Sequence, residues 1–567
     1  MREPVGARAR PRSGTFLRYA LPGLLATLLG LVAMVPSVFW IARDRAIWPW
    51  DPAWYGQVSY DLFAALRGPS LDWDAQMVGA FGIKPPGVAW LGQFFVPLGG
   101  IFGDQDALLV SILLTQAASV ALMCLAARRL GGSGALPGVA AALALAGAPL
   151  FVALSHDYFA EPIQTLSVVW VLAIMAYARS IRPSVTVIQL VAAISLGLLA
   201  KLATPVYMAA PVVVALVGVA LVVRERRVFS PFFRDARVLA SGALAAPLVL
   251  GVLAWYRENF TAALEQGRAA RESTLYGTSD GFLTELPLWA RRLEDAAFAP
   301  YFDLLVIGLL GLGAAALLLR GSSRWRLQAL YPALCVGACV VTVAVILIPY
   351  SLSANDDIRY LMPLVPCAAL VLGILLGALR SRVVAVAIIA ALGAQLVLVN
   401  LLTLGSIESR TFGWYRLVEP APASAFADEL RRIARTTCTP ETNGKISMVG
   451  VEYPWLNQNT LTLLAHERYV QSGRVCYFTA LGYAEQSAAV ALKRLREFAP
   501  PYFVGLDDGN PANRLPAANA LSIRPDDPFN VVNRAVKRAI TRSGEYMVVP
   551  GSRRLGMIVY RRAAEAG

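Results

Sequence analysis

The sequence predicts a polytopic α-helical membrane protein that ends in a soluble α/β domain. Of its 567 residues, 57% are hydrophobic and only 16% are charged, whereas soluble globular domains carry about 25% charged residues. The apolar residues fall in runs of roughly 20, the length that crosses a hydrocarbon core of about 30 Å. Residues 410–567 are instead polar and alternate strand-like with helical segments, which is typical of a small α/β domain.

Hydropathy indicates about eleven membrane spans. The first follows a basic N-terminal segment and is too long for a signal-peptide core, so we expect it to be a retained helix. The spans are expected near residues 17–41, 106–127, 134–155, 161–178, 184–200, 203–223, 238–256, 301–319, 328–350, 360–379 and 383–405.

The arginine distribution predicts the orientation of these spans. If the N-terminus is cytoplasmic, every inside connection carries at least two arginines, while the short outside connections carry acids, as the positive-inside rule requires. An odd number of spans then places the C-terminal domain outside, and we expect the protein in a bacterial plasma membrane. The net charge of +14 is explained by these anchors, so we expect no nucleic-acid partner.

Two domains are predicted. The first, residues 1–409, is a transmembrane module with long external loops at 42–105 and 257–300; the second, residues 410–567, is the external α/β domain. We expect a short helix at Leu62–Leu66 and a helix lying in the membrane interface at 88–102. In the other loop we expect amphipathic helices at 262–271 and 286–298. In the C-terminal domain, strands are predicted at 446–449, 502–505, 546–549 and 557–560, and helices at 460–466, 484–498 and 530–541.

Two of the six cysteines lie in the polar C-terminal domain. Because an external domain is in an oxidising compartment, we predict a disulfide between Cys438 and Cys476, the alternative being two unpaired buried thiols. The other four fall within apolar segments, and no spacing suggests a zinc site.

Asp51 is the first candidate for chemistry. It follows the first apolar run and is surrounded by Trp50, Trp54 and Tyr55. An aromatic belt at the membrane interface explains these rings but not the acid. In a partly dry pocket the pKa of Asp51 would be raised, which suits a general base; the alternative is a helix-end acid exposed to water.

Three cations accompany this acid. Lys84 precedes two prolines that fix the backbone, and a rigidly placed ammonium suits a phosphate group. Lys201 stands alone between two apolar runs; the alternative to a functional role is an interfacial anchor. Arg359, followed by Tyr360, either pairs locally with the acids at 356–357 or meets an anionic head group.

A further polar motif follows the third apolar run. Asp157 and Glu161 are four residues apart and share a face if the segment is helical. The alternative interpretation of Glu161 is a simple acid at the N-terminus of a helix, before Pro162. His156, beside Asp157, is a candidate ligand, and the alternative is the structural role that a lone histidine more often has. Two histidines in all are too few for a His-rich metal site.

Taken in order, these motifs resemble the C-type membrane glycosyltransferases, and in particular protein O-mannosyltransferases and the aminoarabinose transferase of lipid A. The resemblance covers roughly residues 15–405. It implies transfer of a sugar from a polyprenyl-phosphate donor outside the membrane with inversion, Asp51 as the base and Lys84 as a ligand of the donor phosphate. The motifs that carry it are Asp51–Tyr55, Lys84–Pro86, Asp157–Glu161, Gly197–Lys201 and Arg359–Pro363.

Two positions depart from those relatives. Protein mannosyltransferases commonly have Asp-Glu where this chain has Asp51-Pro52, and the aminoarabinose enzymes often have Glu where this chain has Ile83. The resemblance therefore indicates neither a metal site nor a particular acceptor. No cofactor is indicated, and a divalent metal stays open as an alternative.

The predicted function is an inverting glycosyltransferase whose acceptor is a cell-envelope glycan, lipid or protein. Asp51 is expected to be catalytic with Asp157 in reserve, and Lys84, Lys201 and Arg359 are expected to converge on the donor phosphate. A lipid-linked sugar flippase or transporter and a non-catalytic envelope assembly protein are the alternatives. Transporter sites usually lie near the membrane midplane, whereas these charges cluster on one side. The substrate pocket is predicted to contain Trp54, Tyr55, His156, Glu161 and Tyr360.

Overall fold

The structure is a computed structural model. The residues that it describes are 13–68, 72–132, 134–226, 236–272, 281–299, 308, 330–353, 357–379, 381–402, 424–450, 456–469, 473–481, 487–507 and 528–563.

The predicted polytopic architecture is confirmed. Among the described residues, eight helices are long and apolar enough to cross a membrane. Two shorter apolar helices coincide with two further predicted spans, and the predicted span at 301–319 falls outside the described residues apart from residue 308. The membrane helices are α1 (Ser13–Ile41), α6 (Asp104–Leu130), α7 (Leu136–Ala146), α8 (Pro149–Ala153), α9 (Glu161–Tyr177), α10 (Pro183–Ala200), α11 (Thr204–Arg226), α12 (Ala236–Glu272), α14 (Leu330–Tyr350), α15 (Val365–Ala378) and α16 (Arg382–Val397).

One predicted span is divided. The segment at 134–155 forms α7 and α8, with a break between them at Gly147 and Ala148. Pro149 stands at the start of α8, where its missing N–H costs nothing because first-turn donors have no intrahelical partner.

The loop at 42–105 contains more helix than predicted. The short helix expected at Leu62–Leu66 is part of α2 (Trp50–Arg67), which is followed by α3 (Trp73–Gly79). The expectation of one interfacial helix at 88–102 is wrong. The segment is instead divided into α4 (Gly87–Gly92), a 3₁₀ turn at Val96–Leu98 and α5 (Gly99–Phe102). Pro97 removes a backbone donor there and the following two glycines weaken a helix, which explains the interruption.

The loop at 257–300 contains two helical segments, of which the first continues the membrane helix α12. The amphipathic segment expected at 262–271 is the end of α12, and the segment expected at 286–298 is covered by α13 (Phe282–Ala297).

Small residues allow the membrane helices to approach closely. A Cβ atom on Gly30 of α1 would lie 2.2 Å from the carbonyl oxygen of Ala117 on α6, and one on Gly377 of α15 would lie 2.0 Å from that of Gly131. Without a hydrophobic driving force between helices in lipid, such close backbone packing provides much of the association energy.

The C-terminal region contains helices and strands in alternation. The elements are α17 (Ala425–Thr437), β1 (Ile446–Val449), α18 (Gln458–Tyr469), β2 (Tyr477–Ala480), α19 (Ala488–Phe498), β3 (Tyr502–Leu506), α20 (Pro528–Ser543), β4 (Tyr546–Val548) and β5 (Met557–Arg562). The strands form a five-stranded mixed sheet in the order β2-β1-β3-β5-β4. The four predicted strands and three predicted helices are all present, whereas β2 and the helix α17 were not predicted.

Helices cover both faces of this sheet. Alternate residues of a strand point to opposite faces, so Val504 packs with the apolar residues of α17 and α18, while Phe503 packs with those of α19 and α20. The predicted disulfide between Cys438 and Cys476 is confirmed, with the two Cα atoms 5.7 Å apart. It joins the end of α17 to the start of β2.

Candidate active site

The candidate site residues gather at one end of the helix bundle. Glu161 is the first residue of α9 and Lys201 directly follows the last residue of α10. Asp51 lies in the first turn of α2, and Arg359 lies in a 3₁₀ turn, Ile358–Leu364, that leads into α15. Consecutive spans alternate in direction, so the start of one helix and the end of the next meet at the same end of the bundle.

Asp51 is bound by two cations. The Nζ atom of Lys84 is 2.6 Å from Oδ1 of Asp51, and Nη1 of Arg359 is 3.3 Å from Oδ2. The carboxylate is one quarter exposed, so the pair is open to solvent on one side. Lys84 comes from the segment whose prolines precede α4.

Arg359 is the centre of the charged network. Its Nε atom is 2.7 Å from Oδ2 of Asp357 and 3.3 Å from Oε1 of Glu161. The predicted local pairing of Arg359 with a neighbouring acid is therefore present for Asp357, and residue 356 falls outside the described residues. The same guanidinium also bonds Asp51, so it joins α2 to α9.

Glu161 is the most deeply buried acid of the network, with 1% of its side chain exposed. It accepts a hydrogen bond from Nζ of Lys201 in addition to its pairing with Arg359. The Lys201 side chain is only 21% exposed and points into the cluster, so the alternative of a simple interfacial anchor is not the observed arrangement.

Aromatic faces cover all three cations. The Nζ atom of Lys84 is 4.8 Å from the ring centre of Trp54, and that of Lys201 is 4.2 Å from the ring centre of Tyr360. The guanidinium of Arg359 lies 4.8 Å from the ring centre of Phe159. A cation that is partly desolvated in this way gains from the ring quadrupole. The predicted pocket residues Trp54 and Tyr360 are thus in contact with the network.

A second aromatic group, not predicted, supports this wall. Tyr350, the last residue of α14, stacks on Tyr360 with ring centres 5.4 Å apart. The Tyr207 hydroxyl lies 2.9 Å from that of Tyr350 and donates a hydrogen bond to the backbone carbonyl of Tyr360. These tyrosines lie in apolar helices, where sequence alone does not distinguish a site residue from an interfacial ring.

The electrostatics at Asp51 differ from the sequence-based expectation. Burial disfavours its charged form, but the positive charges of Lys84 and Arg359 outweigh burial and hold the pKa of Asp51 well below its ordinary value. The expectation of a raised pKa is therefore wrong for the protein without substrate. The sequence motif did not show that two cations bind the carboxylate from 33 and 308 residues away.

The predicted residues His156 and Asp157 are both buried. The His156 ring stacks on Trp40 of α1 with centres 4.0 Å apart, which is a packing role. Asp157 is 3% exposed, four residues before Glu161. Tyr158, which follows Asp157, donates a hydrogen bond to the carbonyl of Val88 and so connects the segment between Asp157 and Glu161 to α4. A catalytic part for Asp157 stays a prediction.

An apolar groove of about 580 Å³ lies between α11 and α14. Its lining includes Ala210, Val213, Leu334 and Val341, which carry no polar side-chain atoms. Tyr207 of α11 and Tyr350 of α14 belong to the site, so both helices lead from the site into the groove.

Comparisons with known proteins report on the fold of the chain. The family model for dolichyl-phosphate-mannose-protein mannosyltransferase matches residues 83–255. No curated protein sequence matches the chain. The crystal structure of ArnT from Cupriavidus metallidurans bound to undecaprenyl phosphate is similar with a TM-score of 0.55 and 15% identity, over 98% of this chain and 99% of that one.

Two further solved structures are similar. The apo state of the same ArnT gives a TM-score of 0.52 at 15% identity, over 97% of this chain and 98% of that one. The apo oligosaccharyltransferase of Archaeoglobus fulgidus gives 0.46 at 12% identity, over 88% and 70%. The likeness to ArnT extends over nearly the whole of both chains, so the predicted fold of the C-type membrane glycosyltransferases is confirmed.

Proposed function

We propose that this protein is an inverting glycosyltransferase that moves a hexose or pentose from a polyprenyl-phosphate donor to an acceptor hydroxyl or similar nucleophile. The observation that carries the proposal is the convergence of Lys84, Lys201 and Arg359 on Asp51 and Glu161 at one end of a bundle with this fold. The undecaprenyl phosphate bound in the similar ArnT structure supports a lipid phosphate as the ligand.

Lys84, Lys201 and Arg359 are the proposed ligands of the donor phosphate. Together with Asp51, Glu161 and Asp357 they form a network of three positive and three negative side chains. Phosphate oxygens can take the places that carboxylate oxygens hold on these cations, and an arginine fork suits such an anion. The prenyl tail would lie in the groove between α11 and α14, which is apolar enough to hold hydrocarbon.

Asp51 is the proposed base. A phosphate that engages Lys84 and Arg359 weakens their stabilisation of the Asp51 anion and brings a negative charge of its own. Both effects raise the pKa of Asp51 toward its ordinary range. The carboxylate then takes the proton of the acceptor hydroxyl as the hydroxyl oxygen attacks the anomeric carbon. In this way donor binding itself turns Asp51 from an ion-pair partner into a base.

The leaving group needs little further help. The bond between the anomeric carbon and the phosphate oxygen breaks as the new glycosidic bond forms, and the electron pair stays on the phosphate. The cations stabilise the charge that develops there. A single displacement of this kind inverts the anomeric centre and passes through no covalent enzyme intermediate.

The alternatives explain the site less well. A transporter usually binds its substrate near the membrane midplane between broken helices, whereas these charges lie at helix ends. A non-catalytic assembly protein has no evident need for a network of six charged groups, since partly buried charges are costly to desolvate.

The proposed sidedness is external, in a bacterial plasma membrane. The disulfide between Cys438 and Cys476 supports this, because such bonds persist in oxidising compartments. The proposed acceptor is a cell-envelope glycan, lipid or protein.

Reconstitution tests the function directly. The purified chain in vesicles would be supplied with a panel of polyprenyl-phosphate hexoses and pentoses, and with envelope extracts as acceptor. We expect release of polyprenyl phosphate that depends on extract and is lost in Asp51→Asn. Movement of intact donor across the bilayer without its cleavage would instead identify a flippase.

A further inference from the structure

We propose that the C-terminal domain positions the Asp51 helix. Its helix α18 contacts the start and the middle of α2, and its strand β2 bonds Asp61 further along α2, so the domain acts in the reaction as a scaffold for the proposed base. The inference rests on the proposed function only for the role of Asp51; the attachment of α2 stands on its own contacts.

The first contact is at the start of α2. Pro49, which precedes the helix, provides no side-chain cap. Instead the Nδ2 atom of Asn459 donates to the carbonyl of Trp50 at 3.3 Å, and the hydroxyl of Thr460 donates to the carbonyl of Trp48 at 2.9 Å. Both donors belong to α18. The backbone immediately before Asp51 is therefore tied to the C-terminal domain.

The middle of α2 packs directly on α18. A Cβ atom on Gly56 would lie 3.0 Å from Cδ1 of Leu463 and 3.2 Å from the ring of Trp48. Leu463 is 1% exposed and belongs to the core of the membrane module, although it is part of the C-terminal domain. The absence of a side chain at Gly56 is what lets the two helices come this close.

The third contact is polar and lies in the fourth turn of α2. The hydroxyl of Tyr477, on β2, donates to Oδ1 of Asp61 at 3.1 Å, and Nδ1 of His466, on α18, lies 3.4 Å from the same oxygen. His466 is fully buried and its ring meets that of Tyr477 edge to face. The hydroxyl of Tyr477 thus bonds the carboxylate of Asp61 on α2, and the His466 ring packs beside it.

These contacts have a consequence for the site. Lys84 and Arg359 come from other elements, so a shift of α2 moves Asp51 relative to both cations without displacing the cations themselves. A misplacement of about 1 Å at a reacting group can cost about 10²-fold in rate. Loosening the attachment should therefore slow the chemical step and leave binding of the donor phosphate largely intact.

The test uses the full chain with two conservative changes, Thr460→Val and Tyr477→Phe, which remove one hydroxyl each and keep the shape. The matched control is Thr541→Val with Tyr546→Phe, whose hydroxyls bond within the C-terminal domain away from α2. Hydrogen exchange of the amides at residues 51–61 reports on α2 without any need for activity. Formation of the disulfide between Cys438 and Cys476 checks that the domain folds.

In the double variant we expect exchange in α2 to accelerate about tenfold, since two lost hydrogen bonds of ordinary strength correspond to roughly 5- to 150-fold. We expect kcat to fall about tenfold, with the donor KM and binding of undecaprenyl phosphate changed less than about twofold. The control should match the wild type in every measurement.

Unchanged exchange in α2 would overturn the inference whatever the activity. Faster exchange with an unchanged kcat would overturn the positioning role. Faster exchange in a protein that transfers no sugar from any donor, even as wild type, would support the attachment of α2 and defeat the proposed function instead.

Discussion

Arg359 bonds Asp51 across 308 positions of the chain, with Nη1 3.3 Å from Oδ2. The same guanidinium pairs with Glu161 through its Nε atom. Three segments that lie far apart in sequence are thereby fixed around one cation, at the end of the bundle where the membrane helices begin or end.

Replacing Lys84 by alanine should weaken donor binding. Its ammonium is one of the proposed phosphate ligands, and loss of one charged hydrogen bond is worth about 1.5–3 kcal/mol, or roughly ten- to a hundredfold. Binding of undecaprenyl phosphate to the purified variant measures this. Lys493→Ala, in an exposed position of α19, is the matched control and should bind as the wild type does. Equal affinity of Lys84→Ala and wild type would contradict the phosphate assignment.

The sequence predicted the helix ends and the charges of the site well, because both follow from local patterns. Apolar runs of span length are interrupted where Glu161, Lys201 and Arg359 stand. Apart from the local pairing of Arg359 with Asp357, it did not predict which carboxylate pairs with which cation, since those pairings join residues up to 308 apart. For the same reason the direction of the Asp51 pKa was wrong: local aromatic residues suggested a dry pocket, and distant cations decided the result.

The strand β2 and most of the helix α2 were missed. The strand β2 was not predicted, although β1, which is also four residues long, was. The helix α2 was recognised only near its end, because its first half contains a proline, three aromatic residues and a glycine and looked like an interfacial loop. It packs against α18 at Gly56, a contact that no local pattern shows.

Glu161→Gln should destabilise the protein and reduce turnover. The variant leaves Lys201 and Arg359 without the buried carboxylate that both contact, and breaking a buried ion pair costs about 3–5 kcal/mol. Thermal unfolding in detergent measures the stability. Adding Lys201→Met should restore part of it, because the unpaired ammonium is then removed. If the single variant were as stable as the wild type, the network would not be a structural unit.

Stability should fall as the pH rises toward 8. Desolvation raises the pKa of Glu467 to about 8. The negative charges of Asp104 and Asp106 raise this pKa further, whereas the hydrogen bond from Gln105 lowers it. The ordinary value is 4.5, so between about pH 4.5 and 8 the folded protein keeps a proton that the unfolded chain has lost. The free energy of unfolding therefore decreases across this window as the pH increases.

Glu467→Gln should flatten this dependence and raise the melting temperature at pH 8 relative to wild type. Glu497→Gln, an exposed position on α19, is the control and should keep the wild-type profile. Melting curves at pH 5, 6.5 and 8 provide the measurement. A wild-type curve that rises with pH in this range, with no difference in Glu467→Gln, would contradict the raised pKa.

Reporter fusions should place the C-terminal domain outside the membrane. An external reporter joined after residue 410 should be active and a cytoplasmic reporter at the same position inactive, as the arginine distribution predicts. The reverse result would contradict the proposed external sidedness of the C-terminal domain, and with it the proposal that the donor is used on the external side.

The mechanism is tested by Asp51→Asn. The amide keeps the shape of the side chain but cannot accept a proton, and general-base contributions are typically about 10²–10⁴-fold. Turnover should fall by that order. Donor binding should not weaken, because the variant removes a negative charge that competes with phosphate for Lys84 and Arg359.

Asp157→Asn, measured beside it, separates the two candidate bases: the variant of the true base loses turnover with donor binding intact. Analysis of the product should show inversion at the anomeric carbon; retention, or near-normal turnover in Asp51→Asn, would defeat a single displacement with Asp51 as base.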